Sequence, residues 1–349
     1  MGKEKRDLKL SADPFWTKEH ASDFDTDMII DKLVYLSIIG LDKAMETVQS
    51  IVLTDSLQRI EYELEDFIIK LGYYFPNLKH ISVSEKLFKS MNLFSADGCL
   101  YVEENGFFIL LHCPAGRTGV YSILEGTNRV ERYAFSCSQL EEVLFPDSLT
   151  EIDEEAFDSS QIVRLHIPET IKLIGDQGCE NPAPNCPNLT SITVDPNHKK
   201  YYAVDNCLFS KKDRLLLCYP AGLEASHYSL PAKCRDIGFR AFDGTLHLET
   251  VSLHSKLSRI GYAAFTRASI KKIDLPDSID YIGEQAFEEC NSLQTVIVRN
   301  DNARIEGGDC GSFRKCSNGL RIVANAGSTG EKYAHEMGFA FLDLTEYDK

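Results

Sequence analysis

The chain has 349 residues, 43% of them apolar and 26% charged, and its net charge is −16. This acidic balance argues against a nucleic-acid partner, because phosphate backbones are bound through Lys and Arg. No apolar run is long enough for membrane insertion, and residues 1–16 lack the apolar stretch of a signal peptide. We therefore expect a cytoplasmic protein with reduced thiols, or a cell-surface or secreted protein if a leader has been removed.

Residues 1–45 contain no copy of the repeat described below. Apolar residues recur at helical spacing from Met28 to Ile39, after Asp27, which predicts a helix. Because a repeat array exposes the apolar edge of its first repeat, we expect this helix to act as an N-terminal cap. The acidic run before it is not a calcium loop, since Met28 stands where such a loop needs Gly and Val34 where it needs Glu.

A six-residue phrase of the form L-x-x-V-x-L recurs through the rest of the chain. Its copies are LKHISV (78–83), LEEVLF (140–145), IVRLHI (162–167), LTSITV (189–194), LETVSL (248–253), IKKIDL (270–275) and LQTVIV (293–298). The last four residues of each copy alternate between inward and outward positions, which is typical of a half-buried strand. The phrase therefore predicts one short strand per repeat.

The same alternation predicts which strand residues point away from the core. These outward residues are mostly small or polar, and no acidic or aromatic row among them identifies a ligand. They are the candidate partner-binding residues His80, Ser82, Glu142, Arg164, His166, Ser191, Thr193, Thr250, Ser252, Lys272, Asp274 and Thr295. Leu144 and Ile297 hold the same outward positions in their copies.

A second phrase, I-G-x-x-A-F, follows most of the strands. In IGEQAFEEC, Ile282, Ala286 and Cys290 are four residues apart, which predicts that they share one face of a short helix. The leading residues Ile237, Ile260 and Ile282 are separated by 23 and 22 residues. Each repeat is thus predicted to be one strand, one turn and one short helix, and stacked repeats bury their apolar sides jointly.

Two longer repeats are predicted to carry an extra hairpin, near 97–118 and 205–226. The first contains HCPAGRTG, which resembles the His-Cys…Arg-Thr-Gly loop of cysteine-dependent phosphatases. That loop needs five residues between its Cys and Arg, whereas three residues separate Cys113 from Arg117. Alignment of the two inserts on Pro-Ala-Gly places Tyr219 at the position of Cys113, so we interpret the block as a turn.

The other cysteines indicate no metal or cofactor site. Cys290 occupies the AFxxC position of its repeat, where a buried thiol behaves as a small apolar residue. Neither the pair Cys179 and Cys186 nor the pair Cys310 and Cys316 has the spacing of zinc ligands. We therefore predict a protein without a cofactor or a bound metal.

The repeat phrase LPxSLxxIGxxAFxxCxxLxxVxL, the DGCLY…PAG insert and the ending AGSTGEKYAHEMGF resemble the BspA-type leucine-rich repeat family over roughly residues 46–342. The resemblance implies an α/β repeat solenoid. This would be a curved right-handed array with a parallel β-sheet on its concave face and short helices or turns on its convex face. Residues 46–326 would form about eleven coils, and residues 327–349 a C-terminal cap.

The resemblance also implies a binding role, since many relatives are surface proteins that contact host or matrix proteins. We accordingly predict a non-enzymatic protein–protein interaction module, a monomer or weak oligomer, whose concave face and insert hairpins contact an unidentified protein. The alternatives are an exported cell-surface adhesin, a cysteine-dependent phosphatase acting through HCPAGRTG, and a structural spacer without a dedicated ligand.

Overall fold

The computed structural model describes residues 7–10, 49–53, 68, 71–73, 75–175 and 180–349, with backbone alone at 7–10. The predicted cap helix, the acidic run before it and Cys179 lie outside the described residues. The chain divides into two compact units, unit 1 (Met1–Gln161) and unit 2 (Ile162–Lys349). This division falls inside the predicted repeat array and was not predicted from the sequence.

Unit 1 is built of short strands arranged in three sheets. Its described elements are β1 (Asp7–Leu10), β2 (Ser50–Leu53), β3 (His80–Val83), α1 (Glu85–Met91), β4 (Leu93–Ala96), β5 (Cys99–Glu104), β6 (Phe107–His112), β7 (Thr118–Ser122), β8 (Thr127–Val130), β9 (Gln139–Leu144) and β10 (Glu151–Ile152). Strands β1, β2 and β3 pair in parallel, as do β7 and β9. In the third sheet β10, β8 and β6 are parallel, and β6, β5 and β4 form an antiparallel hairpin insert.

Unit 2 repeats the same plan with more coils. Its described elements are β11 (Arg164–Ile167), β12 (Leu173–Ile174), β13 (Ser191–Val194), β14 (Tyr201–Val204), β15 (Cys207–Ser210), β16 (Leu215–Cys218), β17 (His227–Ser229), β18 (Asp236–Ile237), β19 (Thr250–Ser252), β20 (Arg259–Ile260), β21 (Lys272–Leu275), β22 (Tyr281–Ile282), β23 (Thr295–Val298), β24 (Arg304–Ile305), a 3-10 turn (Gly308–Cys310), β25 (Arg321–Ala324), α2 (Thr329–Met337), β26 (Ala340–Asp343) and α3 (Leu344–Tyr347). One sheet has the order β17-β19-β21-β23-β25-β26, and another runs from the hairpin insert β14-β15-β16 through β18, β20, β22 and β24. The predicted leucine-rich repeat solenoid is confirmed, with about ten coils.

The L-x-x-V-x-L phrase forms the longer strand of each coil, as its alternation predicts. In β21, Lys272 is exposed and Asp274 half-buried, whereas Ile273 and Leu275 are buried in the core. Parallel pairing in register places Lys272 beside Thr295 on the next coil. Because side chains on a strand alternate between faces, one face of this sheet is core and the other is available for contact.

The short helix predicted for I-G-x-x-A-F is wrong. The isoleucine ends a two-residue strand, as in β22, and the residues after it form turns. Gln285 and Glu289 adopt the left-handed conformation, with φ of 54° and 58°, as do Ala263 and Arg267 in the preceding coil. A residue with positive φ ends a right-handed helix, so the backbone turns the corner of the coil instead.

These turns place a phenylalanine of each coil in the centre of the unit. The four rings of unit 2 stack with neighbouring centroids 4.5–5.0 Å apart and are fully buried: Phe242, Phe265, Phe287 and Phe313. The backbone N–H of Phe265 donates to the carbonyl of Ala286, one coil further on, at 2.7 Å. Removal of one such ring costs about 3–5 kcal/mol of stability, so this ladder is a main source of cohesion between coils.

The last residues of unit 2 continue the sheet and end the aromatic stack. Helix α2 packs against β25, where Gly330 allows close approach because a Cβ there would lie 2.7 Å from the Cβ of Ala324. The ring of Tyr333 meets Phe313 edge-on at 5.7 Å. Strand β26 pairs in parallel with β25, and α3 follows it directly.

Candidate partner-binding surface

The outward strand face of unit 2 consists of the side chains that point away from the core on the longer strands from β11 to β25. Most of the predicted residues lie on it. Arg164, His166, Thr193, Thr250, Ser252 and Lys272 are exposed, and Ser191, Asp274 and Thr295 are half-buried. These residues lie on two sheets, β11–β13 and β17–β26, and within each sheet the strands pair in register and hold the side chains at regular spacing.

Strands β11 and β13 bring the first group of predicted residues together. Their register places Arg164 beside Ser191. His166 lies beside Thr193, with its Nδ1 2.9 Å from the threonine Oγ1. Its Nε2 lies 3.3 Å from Oδ1 of Asp195. Both ring nitrogens of His166 therefore have partners, which fixes the orientation of the imidazole.

A second polar cluster surrounds His227, which was not among the predicted residues. The His227 Nδ1 lies 2.8 Å from Thr250 Oγ1, and its Nε2 lies 3.1 Å from Ser229 Oγ and 3.3 Å from Ser252 Oγ. Strand β17 pairs with β19 and so extends the outward strand face by one coil. The alternation of HYSL could have predicted it, because Tyr228 and Leu230 are buried whereas His227 and Ser229 are exposed.

A third part of the outward strand face is basic. Thr295 lies between Lys272 and Arg321 in register on β21, β23 and β25. Beside this row, Arg299 holds Asp274 with two hydrogen bonds of 2.7 and 2.8 Å. The bond to Asp274 raises the pKa of the Arg299 guanidinium, so this residue is a fixed positive charge. Arg299 directly follows the last copy of the strand phrase, and Arg321 lies outside all copies. The sequence pattern therefore predicts neither residue.

Ile297 occupies the predicted outward position on β23, but the expectation that this position is exposed is wrong. The register with Asp274 and Val323 places Ile297 on the outward side of β23, yet it is only 1% exposed, and Val323 on β25 is fully buried. Both lie outside the main hydrophobic cluster of unit 2, whereas their neighbours Val296 and Ile322 belong to it. Helix α3 contacts β25 and β26, so it lies next to this second layer of buried apolar residues.

In unit 1 the predicted residues fall on two separate sheets. His80 is exposed on β3, and the half-buried Ser82 donates a hydrogen bond to the Ile51 carbonyl at 3.4 Å. Glu142 is half-buried on β9 and lies beside Val120 of β7.

Two apolar residues of unit 1 extend the outward side of β7 and β9. Val120 is 59% exposed and Leu144 is 46% exposed, so the outward position predicted for Leu144 is observed. Leu144 lies beside Ser122, and Val120 beside Glu142. This side of unit 1 is thus less polar than the first coils of unit 2.

The HCPAGRTG block is a turn between coils. The Cys113 N–H donates to the Ala134 carbonyl at 2.7 Å, and the equivalent Tyr219 N–H donates to the Ala241 carbonyl at 2.8 Å. Gly116 has no room for a side chain, because a Cβ would lie 2.5 Å from the carbonyl carbon of Asn77. The two inserts thus use the same backbone contacts although their side chains differ.

The chemistry around Cys113 does not resemble a phosphate loop. The thiol is fully buried, and burial raises its pKa well above the ordinary value, so it is a poor nucleophile. Arg117 lies with Nη2 2.5 Å from Oδ2 of Asp97 and with its guanidinium over the ring of Tyr121. The arginine side chain therefore already contacts a carboxylate and an aromatic ring.

Ten cysteines are described, and none of them forms a disulfide. Cys290 is buried and its Sγ donates to the Phe265 carbonyl at 2.9 Å, while Cys316 Sγ donates to the Phe287 carbonyl at 3.0 Å. Burial raises the pKa of Cys316 to about 12 and that of Cys137 to about 11. These thiols pack as neutral side chains between coils.

The described part of the chain contains neither a cluster of metal ligands nor a membrane-spanning helix. No three His, Cys, Asp or Glu side chains there are grouped so that they could hold a metal ion. Likewise, none of the described helices has the length and apolar character needed to cross a bilayer.

Known proteins resemble this chain in sequence pattern and in fold. No curated protein matches its sequence. A crystal structure of a leucine-rich cell surface protein from Faecalibacterium prausnitzii has a TM-score of 0.52 and 20% identity, over 82% of each chain. A leucine-rich repeat protein from Eubacterium ventriosum has a TM-score of 0.50 and 17% identity, over 74% of this chain and 70% of its own. At these identities, the likeness establishes the fold alone.

The family itself is established by the sequence. The pattern of the BspA type leucine rich repeat region matches in six copies, over residues 120–215 and 219–327, which is more than half of the chain. The matched residues contain most of the strands of unit 2 and its four stacked phenylalanines. The chain therefore belongs to the BspA-type leucine-rich repeat family.

Proposed function

We propose that this protein is a non-enzymatic protein–protein interaction module that contacts its partner through the outward strand face of unit 2. The observation that supports this proposal is the set of exposed polar side chains held in register within each of two sheets, β11–β13 and β17–β25. A surface built on paired strands loses little conformational entropy when it binds. His166 and His227 support the same idea, because hydrogen bonds already fix both rings.

The two hairpin inserts are a second part of the proposed contact surface. The β5–β6 tip of unit 1 carries the exposed acidic residues Glu103 and Glu104 next to Phe107, which is 50% exposed. The β15–β16 tip of unit 2 carries the exposed residues Lys212 and Arg214. Tips of opposite charge would favour different parts of a partner, so they contribute to specificity more than to affinity.

A charge-reversal experiment tests the main proposal. A tagged form of the full chain would capture proteins from a lysate of its own cells, and the captured protein would be purified and titrated by calorimetry. We expect Arg164→Glu combined with Lys272→Glu to weaken binding at least tenfold, because two charged contacts on the face are inverted. Lys233→Glu is the matched control, since Lys233 is exposed in a turn outside the strands. Equal binding by all three proteins would contradict the proposal.

An exported adhesin is the second candidate, and it uses the same surface. The observation in its favour is that a protein of similar fold is described as a cell surface protein. Protease treatment of intact cells, followed by detection in surface and cytosolic fractions, separates the two candidates. Release from the surface would direct the search for a partner to host and matrix proteins, whereas protection would direct it to the cell interior.

The cysteine-dependent phosphatase and the structural spacer have their own tests. Because Cys113 is buried, we expect no hydrolysis of an aryl phosphate, and no difference between the unchanged protein and Cys113→Ser. Hydrolysis that disappears in Cys113→Ser would overturn the non-enzymatic proposal. A chain that captures no protein under any condition, and migrates as a monomer, would favour the spacer.

A further inference from the structure

The segment after β26 crosses back over the outward strand face of unit 2. We name residues 344–348, which comprise α3 and Asp348, the strap. The Nζ of Lys272, on β21, lies 5.2 Å from the ring centroid of Tyr347. Asp348 Oδ2 lies 3.7 Å from Nη1 of Arg299, just after β23. The strap therefore reaches from the last strand of the sheet to residues two and three strands away.

The apolar residues beneath this part of the face have no equivalent at the other end of the sheet. The outward positions on β19 hold Thr250 and Ser252, which are exposed. The outward positions of β23 and β25 include Ile297 and Val323, which are 1% and 0% exposed. Apolar residues on an open strand face would leave an exposed patch of the kind that marks a contact site. In this structure the chain covers that patch itself.

The charges around the strap are complementary to it. Lys272, Arg299 and Arg321 are basic and lie on or beside the face, whereas Glu346 and Asp348 of the strap are acidic. Tyr347 contributes its ring to the Lys272 ammonium, an arrangement that attracts a cation to the aromatic face. The covered part of the face thus contacts an aromatic residue and the carboxylate that follows it, next to two buried apolar residues.

We propose that the outward face of β21, β23 and β25 is a binding site for a short partner segment that carries an aromatic residue followed by an acidic residue, and that the strap occupies this site in cis until the partner displaces it. This inference rests on the proposed interaction function and names the chemistry of its partner. The occupant is a protein segment and not a small molecule, because the site recognises a turn of helix together with two consecutive side chains.

The dimensions of the strap make it displaceable. α3 has four residues, and a helix of this length is not stable by itself in water. Its start is fixed by the Asp343 side chain, which accepts a hydrogen bond from the Thr345 N–H at 2.8 Å. A tethered segment competes with an effective concentration of about millimolar, so a partner segment must bind more tightly than the strap or arrive on a second contact.

A peptide with the sequence of residues 343–349 tests the site directly. The peptide, acetylated and fluorescently labelled, would be titrated against the unchanged full chain and against the double variant Tyr347→Ala, Asp348→Asn. We expect at least tenfold tighter binding to the double variant, because its own strap no longer competes. A peptide with the same two substitutions is the matched control and should bind neither protein. Equal binding of the unsubstituted peptide to both proteins, or binding to neither, would overturn the inference.

A second measurement needs no variant and therefore does not depend on the folding of one. Hydrogen exchange of the strap amides in the unchanged chain should rise when the unlabelled peptide is added at several millimolar, because the peptide displaces the strap. Exchange that stays constant across the peptide titration would also overturn the inference. Arg299→Gln in the double-variant background should abolish peptide binding, which locates the peptide on this face.

The failure of this inference can be distinguished from failure of the proposed function. Arg164 and His166 lie on β11, in a different sheet from β21 and β23, where the strap contacts Lys272 and Arg299. If the peptide fails to bind and Arg164→Glu still weakens partner capture, the strap is a permanent cap and the interaction function stands. If the capture is also insensitive to Arg164→Glu, both proposals are wrong.

Discussion

The two ends of the long sheet of unit 2 use the same repeat positions in opposite ways. At β17 and β19 the outward residues are polar and joined by hydrogen bonds around His227, and they are open to solvent. At β23 and β25 they include the buried residues Ile297 and Val323, and α3 contacts β25. The repeat therefore determines the position of each outward side chain. Outward side chains are polar where the face is open to solvent, and they include apolar residues where another segment covers the face.

The largest expected effect comes from placing a charge at each end. Ile297→Asp would bury a carboxylate under the strap or force the strap away, and we expect it to cost about 3 kcal/mol or more of unfolding free energy. Ser252→Asp is the matched substitution at the open end and should change stability by less than about 0.5 kcal/mol. Urea denaturation monitored by circular dichroism gives both values. A similar cost for the two variants would show that the ends do not differ.

Removal of the guanidinium that links the strap to the sheet should have an intermediate effect. Arg299→Ala loses two hydrogen bonds to Asp274 and the ion pair with Asp348, but it is partly exposed, so we expect about 1 kcal/mol of destabilisation. Arg259→Ala removes a looser pair, 3.6 Å from Asp236, and should have almost no effect. Thermal denaturation in low and high salt would show a salt-dependent difference for Arg299 alone. Identical melting shifts for both variants would contradict this ranking.

The smallest effect is expected at the aromatic ring of the strap. Tyr347→Phe keeps the ring beneath Lys272 and should leave stability unchanged within about 0.5 kcal/mol. Tyr347→Leu keeps apolar bulk but removes the cation–ring attraction, and should cost about 0.5–1 kcal/mol. Hydrogen exchange of the amides in α3 separates the two variants. Faster exchange in Tyr347→Phe than in Tyr347→Leu would show that the hydroxyl, and not the ring, holds the strap.

The strands were predictable because their signal is local. The alternation in KIDL and TVIV marks β21 and β23 at their observed bounds, since one buried face imposes a period of two on any strand. The family also followed from sequence, because the spacing of Ile and Phe repeats with the coil. Most of the predicted outward residues consequently stand where the alternation placed them.

The remaining features depend on contacts that are distant in sequence. The turns at Gln285 and Glu289 have the composition of a helix, and only hydrogen bonds to the next coil make the left-handed conformation favourable. Ile297 is buried on a part of the face that the strap crosses, and the strap lies almost fifty residues further along the chain. The alternating pattern does not show whether another segment of the chain covers the outward face. It therefore predicts exposure for an outward residue that is in fact buried.

The junction between coils has a consequence for how the chain can change its length. Phe242 donates its backbone N–H to Ala264, and Phe265 donates to Ala286, each at 2.7 Å, so the junction uses main-chain atoms that every coil possesses. An in-frame duplication or deletion from one phenylalanine to the next would therefore recreate the same junction. Each recombination between repeats of the gene would lengthen or shorten the outward face by the side chains of one strand. New binding specificities could arise in this way while the core contacts stay the same.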